Sequence, residues 1–343
     1  MNYNYGLFYS LICANWIGYI LIVYPSRRVV SLFEFITDGY APTQLANKGQ
    51  QVLSQLMTDG FQLNYIGKNG NNDGDIVNKL VAYIRSGGRR TLIELAAGSG
   101  VAGCQWAQKI RAAGIVDAVI LLTDLQPDLK GWAYRRNEFG SDKVFFANMS
   151  VDATNVFSSI SSTSVVSNDL LLGGKIRVIN FALHHFTPNL ASRVIADVVR
   201  SRSAILIGDL SPNPGGLLWN WLLALKYGVQ DVLTNGLSPV DDLWVAPLLP
   251  LLPLMACWDA TVSVLRAYST AELLEMIHSH TQQEEKDTDT TCLYDIDTWS
   301  SSSYADWIGM PGALAAGLHH LGLRPYDPVM QFVFARPRII ESS

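Results

Sequence analysis

Residues 94–103 read Glu-Leu-Ala-Ala-Gly-Ser-Gly-Val-Ala-Gly, so Gly98, Gly100 and Gly103 stand at G-x-G-x-x-G spacing. Glycines so placed, between an apolar run and a helix, let a tight turn bring backbone N–H groups and a helix N-terminus against a ligand. The spacing alone is a weak signal. Glu94, at the carboxyl end of the apolar run, sharpens it. A carboxylate there repels a diphosphate and attracts a cation, so the turn is expected to receive a positively charged ligand. The bland alternative is a strand-end glutamate turned to solvent.

Two further acids follow at matching places. Asp124 closes the next apolar run, 24 residues beyond Gly100, and Asp152 follows the one after that. A carboxylate at the first place can accept both hydroxyls of a ribose. One at the second can accept from an adenine amino group. Each could also cap a helix; their order after successive runs favours a common ligand. The fourth run ends in Asn180-Phe181-Ala182-Leu183-His184-His185-Phe186. A histidine there can take a proton from an attacking hydroxyl, because its pKa lies near neutrality. It can equally hydrogen-bond the fold. If a base is needed, His185 is expected ahead of His184.

These residues need a frame. Short apolar runs at 91–96, 118–123, 144–147, 176–182 and 204–208 alternate with helix-like segments at 102–113, 126–138 and 188–201. Continuous apolar runs separated by helices indicate buried parallel strands and a doubly wound α/β sheet. Two later runs, 292–297 and 329–335, with a helix at 311–321 between them, bring the expected strands to seven. Residues 26–88 carry helical spacing, interrupted by a loop at 67–74, and a Ser-rich loop is expected at 158–167. Residues 212–257 break the rhythm. The stretches 217–225 and 243–257 are strongly apolar, the second with prolines at 247, 250 and 253, and a charged loop is expected at 282–291. This region reads as an inserted lid facing an apolar ligand, a partner or a membrane. Asp259 and Arg266, seven apart within it, can share a helix face and tie it to the core. The expected division is 1–90, an N-terminal helical cap; 91–210 with 290–343, the ligand-binding core; and 211–289, the apolar lid.

Composition narrows the function. The chain has 343 residues, 49% hydrophobic and only 16% charged, with a formal net charge of −5. That excludes bulk disorder and makes nucleic acid a poor partner. The four cysteines, at 13, 104, 257 and 292, form no CxxC and have no histidine at ligand spacing, so no metal site and no disulfide scaffold is expected. His278, His280, His319 and His320 likewise suggest no metal. Residues 5–24 carry no charge, near the length of a membrane span. Asn15, Ser10 and four tyrosines favour interfacial or core packing over a span.

Together the motif and the acids resemble class I S-adenosylmethionine-dependent methyltransferases of the small-molecule type. Glu94-x-x-x-Gly98-x-Gly100 matches that family's first motif except that Ala96 replaces a common glycine, and Thr123-Asp124 matches its second-strand acid. The Asn180–Phe186 stretch is similar to a frequent fourth motif. The resemblance covers roughly 91–210 and 290–337. It implies a seven-stranded sheet with its seventh strand antiparallel. It also implies S-adenosylmethionine held by Glu94, Gly98, Gly100, Asp124, Asp152 and Asn180, and methyl transfer to a small apolar acceptor, most naturally at oxygen. The Asn/Asp-Pro-Pro-aromatic signature of nitrogen methylation is absent after the fourth run. Other readings stay open: a cyclisation or isomerisation on the same fold, a membrane-tethered binding protein without catalysis, and a nicotinamide-dependent oxidoreductase. A cytoplasmic protein is expected, with membrane contact open through residues 5–24.

Overall fold

A parallel strand covered on both faces must be apolar along its whole length, with successive side chains entering opposite layers. The computed structural model follows this pattern except at buried polar positions such as Glu94, Arg177, Asn180 and Asp209. It describes residues 76–87, 90–156, 159, 175–213, 217–235, 251–288, 293–301, 303–326 and 328–338. All of them fall within one compact unit.

In chain order the elements are α1 (Ile76–Gly87), β1 (Thr91–Glu94), α2 (Val101–Ala112), β2 (Val119–Leu122), α3 (Leu129–Phe139), β3 (Val144–Phe146) and β4 (Lys175–Asn180). A 3-10 turn at Leu183–His185 follows, then α4 (Pro188–Arg200), β5 (Ala204–Leu210), α5 (Leu217–Asn235) and α6 (Leu251–Arg266). The chain continues with α7 (Thr270–Thr288), β6 (Tyr294–Ser300), α8 (Tyr304–Ile308), α9 (Gly312–His320) and β7 (Met330–Pro337). The strands form one sheet in the order β3-β2-β1-β4-β5-β7-β6. The first five pair in parallel. β7 runs antiparallel to both β5 and β6.

Two apolar layers flank the sheet, and neighbouring residues divide between them. Leu92, Leu206, Phe332 and Phe334 enter one layer with Trp106 and Ile110 of α2 and Trp219, Leu223 and Tyr227 of α5. Ile93, Ile205, Ile207 and Val333 enter the other with Val194 and Val198 of α4 and Leu273 and Ile277 of α7. Each such aliphatic side chain contributes about 1.5–3 kcal/mol when taken out of water. Local signals set the helix starts. The Thr187 side chain accepts from the Leu190 N–H, with Pro188 in the first turn of α4. Asp128 does the same for α3, which therefore begins at Leu129 rather than at 126.

The lid region differs from expectation. α5 and α6 pair with each other, but α5 also sinks Trp219, Leu223 and Tyr227 into the core. α7 packs on α4 and supplies Leu273 and Ile277 to the second layer. It is a covering helix of the sheet, so the stretch beyond about Tyr268 belongs to the core. The charged loop expected at 282–291 is, up to Thr288, the last two turns of α7. Gln283 bonds Asp287 one turn on, and Thr281 accepts a place in the core by donating to the Ile277 carbonyl. Charge alone does not end a helix whose other face is anchored. Asp259 and Arg266 are both buried on α6. Of the N-terminal helical region only α1 is described; residues 5–24, the helices expected near 29–35 and 52–57, and the loops at 67–74 and 160–167 lie outside the described residues, as do Cys13 and Cys292. Among the described residues no helix is long and apolar enough to cross a membrane.

Candidate functional site

β1 is the hinge of the sheet. It lies between β2 and β4. The helix after β1 (α2) covers one face, and the helix after β4 (α4) covers the other. The two connections part above the strand ends and leave a crevice, the place where open α/β sheets bind ligands.

The turn after β1 is rigid before any ligand arrives. The Ala97 N–H donates to the Thr123 carbonyl at 3.0 Å, and the Gly100 N–H donates to the Ala97 carbonyl at 2.7 Å. Trp132 of α3 donates its indole N–H to the Gly98 carbonyl at 2.8 Å. The Asp124 carboxylate accepts from the Gly98 N–H at 2.9 Å and from the Gln126 N–H at 2.8 Å. So Asp124, at the end of β2, ties the glycine turn to the neighbouring strand.

The three glycines do different things. Gly98 has φ +50° and nothing within 4 Å of where a Cβ would stand. It faces open space. Gly100 has φ +71°, and a Cβ there would meet Leu122 at 2.6 Å and Trp132 at 3.1 Å, so it lets α2 approach the sheet. A Cβ on Gly103 would overlap the Glu94 carboxylate, with its carboxyl carbon 2.7 Å away. Gly103 has no side chain, and the Glu94 carboxylate takes the space one would fill. Ala96 holds φ +51° and Phe181 φ +49°. Left-handed backbone costs a non-glycine residue about 1–2 kcal/mol, and these two begin the connections on either side of the crevice. Ala96 thus holds a backbone conformation that favours glycine, at a cost.

Glu94 is not an open strand tip. It is 2% exposed. Its Oε1 accepts from the Asn180 amide at 2.8 Å, and Asn180 in turn accepts from the Trp106 indole at 3.0 Å. This network joins β1, β4 and α2. Asn180 is therefore spent inward on the network. The second carboxylate oxygen, Oε2, is buried without a hydrogen-bond partner. Burial drives the Glu94 pKa up to about 8; the Asn180 amide and the Gly103 backbone N–H, whose approach falls short of hydrogen-bond geometry, hold it down, and the Asp124 charge adds to the rise. Sequence placed Glu94 facing a ligand. The fold seals it behind Gly103, where burial favours its neutral form.

Asp152 is exposed, and its Oδ1 accepts from both the backbone N–H and the hydroxyl of Thr154 at 2.8 Å. It shapes the turn after β3. Arg193 of α4 donates to the same Thr154 hydroxyl at 3.2 Å. His184 and His185 separate in role. His184 is buried; its Nδ1 lies 2.7 Å from one oxygen of Asp209, and its backbone N–H donates to the other at 3.1 Å. His185 is half-buried, its ring centroid 4.2 Å from that of His184. α6 packs against the turn that carries them. Asp209 was not singled out by sequence reading, although an acid at the end of the apolar run 204–208 was a visible signal. Among the described residues no three His, Cys, Asp or Glu side chains are grouped to hold a metal.

A parallel run of five strands, a first-strand glycine turn at the reversal point and a reversed β7 inserted between β5 and β6 occur together here. The chain has the class I S-adenosylmethionine-dependent methyltransferase fold. No family model matches the sequence, and no curated protein matches it. Solved structures do resemble it. An O-methyltransferase family protein from Burkholderia thailandensis is 15% identical over 95% of this chain and 69% of its own, with a TM-score of 0.45. Magnesium protoporphyrin IX methyltransferase from Synechocystis, solved with bound SAH, is 13% identical over 88% of this chain and 96% of its own, with a TM-score of 0.40. The pyocyanin biosynthetic protein PhzM is 11% identical over 73% of this chain and 51% of its own, with a TM-score of 0.36.

Proposed function

We propose that this protein is an enzyme that transfers a methyl group from S-adenosylmethionine to the oxygen of a small apolar molecule. One observation carries the reading: a buried carboxylate, Glu94, with an unpartnered oxygen, lies under a preformed glycine turn at the sheet's reversal point. A cation bound above the turn offsets the cost of ionising Glu94; a diphosphate adds to it. The remaining residues fit the same ligand. Gly98 opens onto free space. Asp124 keeps lone pairs beyond the two N–H groups it accepts, for ribose hydroxyls. Asp152 stands after the next strand for the adenine amino group. Asn180 supports the site by fixing Glu94.

When bound, the cofactor supplies a methyl group on a sulfonium, activated for in-line displacement. The chain's own residues align and deprotonate. His184, fastened by Asp209, sets the turn after β4. His185, half-exposed beside it, is the ring placed to accept a proton from an acceptor hydroxyl. α6, a largely apolar helix that packs on this turn, favours an apolar acceptor. Residues 91–210 with 268–338 then form the cofactor-binding core and 217–266 the acceptor cap.

S-adenosylhomocysteine at about 100 times its dissociation constant should raise unfolding stability by about 2.7 kcal/mol. Incubation with S-adenosylmethionine and an extract of the source should yield a product heavier by one methyl group. Protection by a nicotinamide dinucleotide in place of S-adenosylhomocysteine would overturn the cofactor. Turnover without a methyl gain would leave the cofactor pocket and overturn the reaction, in favour of cyclisation or isomerisation.

A further inference from the structure

An amphipathic surface helix turns its apolar side inward and its polar side to water. α5 does not. Its inward side buries Trp219, Asn220, Leu223 and Tyr227. Its outward side carries Leu218, Leu222, Leu225 and Val229, at i, i+4, i+7 and i+11, one stripe directly opposite the core, each 36–47% exposed. Leu254 on the paired helix α6 is 54% exposed as well. The whole of α5 contains two charged residues, Lys226 and Asp231, and the Lys226 ammonium is committed to the Trp307 carbonyl at 3.0 Å.

We propose that this stripe docks on the hydrocarbon of a lipid bilayer, holding the α5–α6 pair at the membrane surface. Size and charge select the occupant. Five partly exposed side chains present on the order of 400 Å² of apolar surface, half of the ~800 Å² per partner that a stable dimer buries. A specific protein partner also needs polar groups around an apolar centre to fix register, and the stripe of Leu218, Leu222, Leu225 and Val229 is aliphatic throughout. A bilayer needs neither; an apolar helix face lying in the interface suffices. Among the described residues of α5 the one basic side chain, Lys226, is held by the Trp307 carbonyl, so anionic lipid is not required. The purpose rests on the reading above of an apolar acceptor. α6 packs on the turn carrying His184 and His185, so a membrane-seated α5–α6 pair sets the acceptor side of the crevice next to the phase in which such a molecule dissolves.

The test is flotation of the full-length protein with neutral phosphatidylcholine vesicles, alongside the L222E/L225E variant. Both positions are exposed, so the variant should keep its thermal stabilisation by S-adenosylhomocysteine. The wild type should float, and the variant should lose at least tenfold in partition. Three results would each overturn the docking: no flotation of the wild type, equal flotation of the variant (which assigns lipid contact to another segment), or a concentration-dependent dimer abolished by L222E/L225E. Failure of the methyl-transfer reading shows instead as loss of S-adenosylhomocysteine protection, which flotation does not measure.

Discussion

Gly98 and Gly103 separate binding from folding at single-residue resolution. A Gly98→Ala side chain meets nothing in the protein but points into the crevice. It should lower stability by no more than about 1–2 kcal/mol, the left-handed backbone penalty. It should lower S-adenosylhomocysteine affinity at least tenfold by titration calorimetry. Gly103→Ala drives a methyl into the Glu94 carboxylate and to 3.0 Å from Ile120. It should lower stability by about 1–3 kcal/mol in thermal unfolding. Glu94 itself carries a pH signature. Its pKa rises from 4.5 to about 8 on folding because burial disfavours the charged form. Between those values the folded state holds the proton that the unfolded state has lost. Stability from this group is therefore full at the acid end and falls as pH rises through about 8. Glu94→Gln should flatten that fall, leaving the variant more stable than the wild type near pH 9 by a few kcal/mol, read by chemical denaturation. A wild-type profile already flat from pH 5 to 9 would contradict the placement of Glu94. At this scale the sequence singled out Glu94, Gly98, Gly100 and Asp124, and the fold gathers them around one turn. The sequence did not disclose that Glu94 is sealed behind Gly103, because side-chain direction depends on how closely α2 approaches β1.

The elements are joined by a few buried polar ties. Arg177 of β4 is fully buried and donates to Asp197 of α4, with Ser201 at 2.8 Å from the same guanidinium. A buried pair adds little over an apolar replacement, but half of one is costly. Asp197→Ala should destabilise by about 3–5 kcal/mol, whereas Arg177→Met with Asp197→Leu should recover most of that loss in equilibrium unfolding. The alternation of apolar runs and helical periods made β1 to β5 and α2 to α4 legible, since both faces of the sheet are covered and most strand positions are apolar, with Glu94, Arg177, Asn180 and Asp209 as buried exceptions. α7 was half-legible. Leu273 and Ile277 showed helical spacing, but the charged tail to Thr288 hid its length, and nothing local says that its apolar face meets α4. Asp209 illustrates the same gap: its partner His184 lies 25 residues away, and only the pairing of β4 with β5 brings them together.

Taken whole, the molecule gathers its candidate site at the strand ends around β1 and leaves surplus apolar surface on the helices α5 and α6. Composition had announced that surplus: 49% hydrophobic residues against 16% charged. Which apolar residues stay outside is a property of packing. Leu223 and Leu222 are chain neighbours of one type, yet the first is in the core and the second on the surface. By itself, the sequence determined the strand and helix periods, the glycine turn and the acids that follow successive strands, because these depend on residue type and spacing within a few turns of chain. Only the tertiary structure decided that Asn180 serves Glu94, that Asp209 fastens His184, and that α5 keeps an apolar face in water. Each of those depends on which distant segments share a layer, and that is set by long-range packing of the sheet.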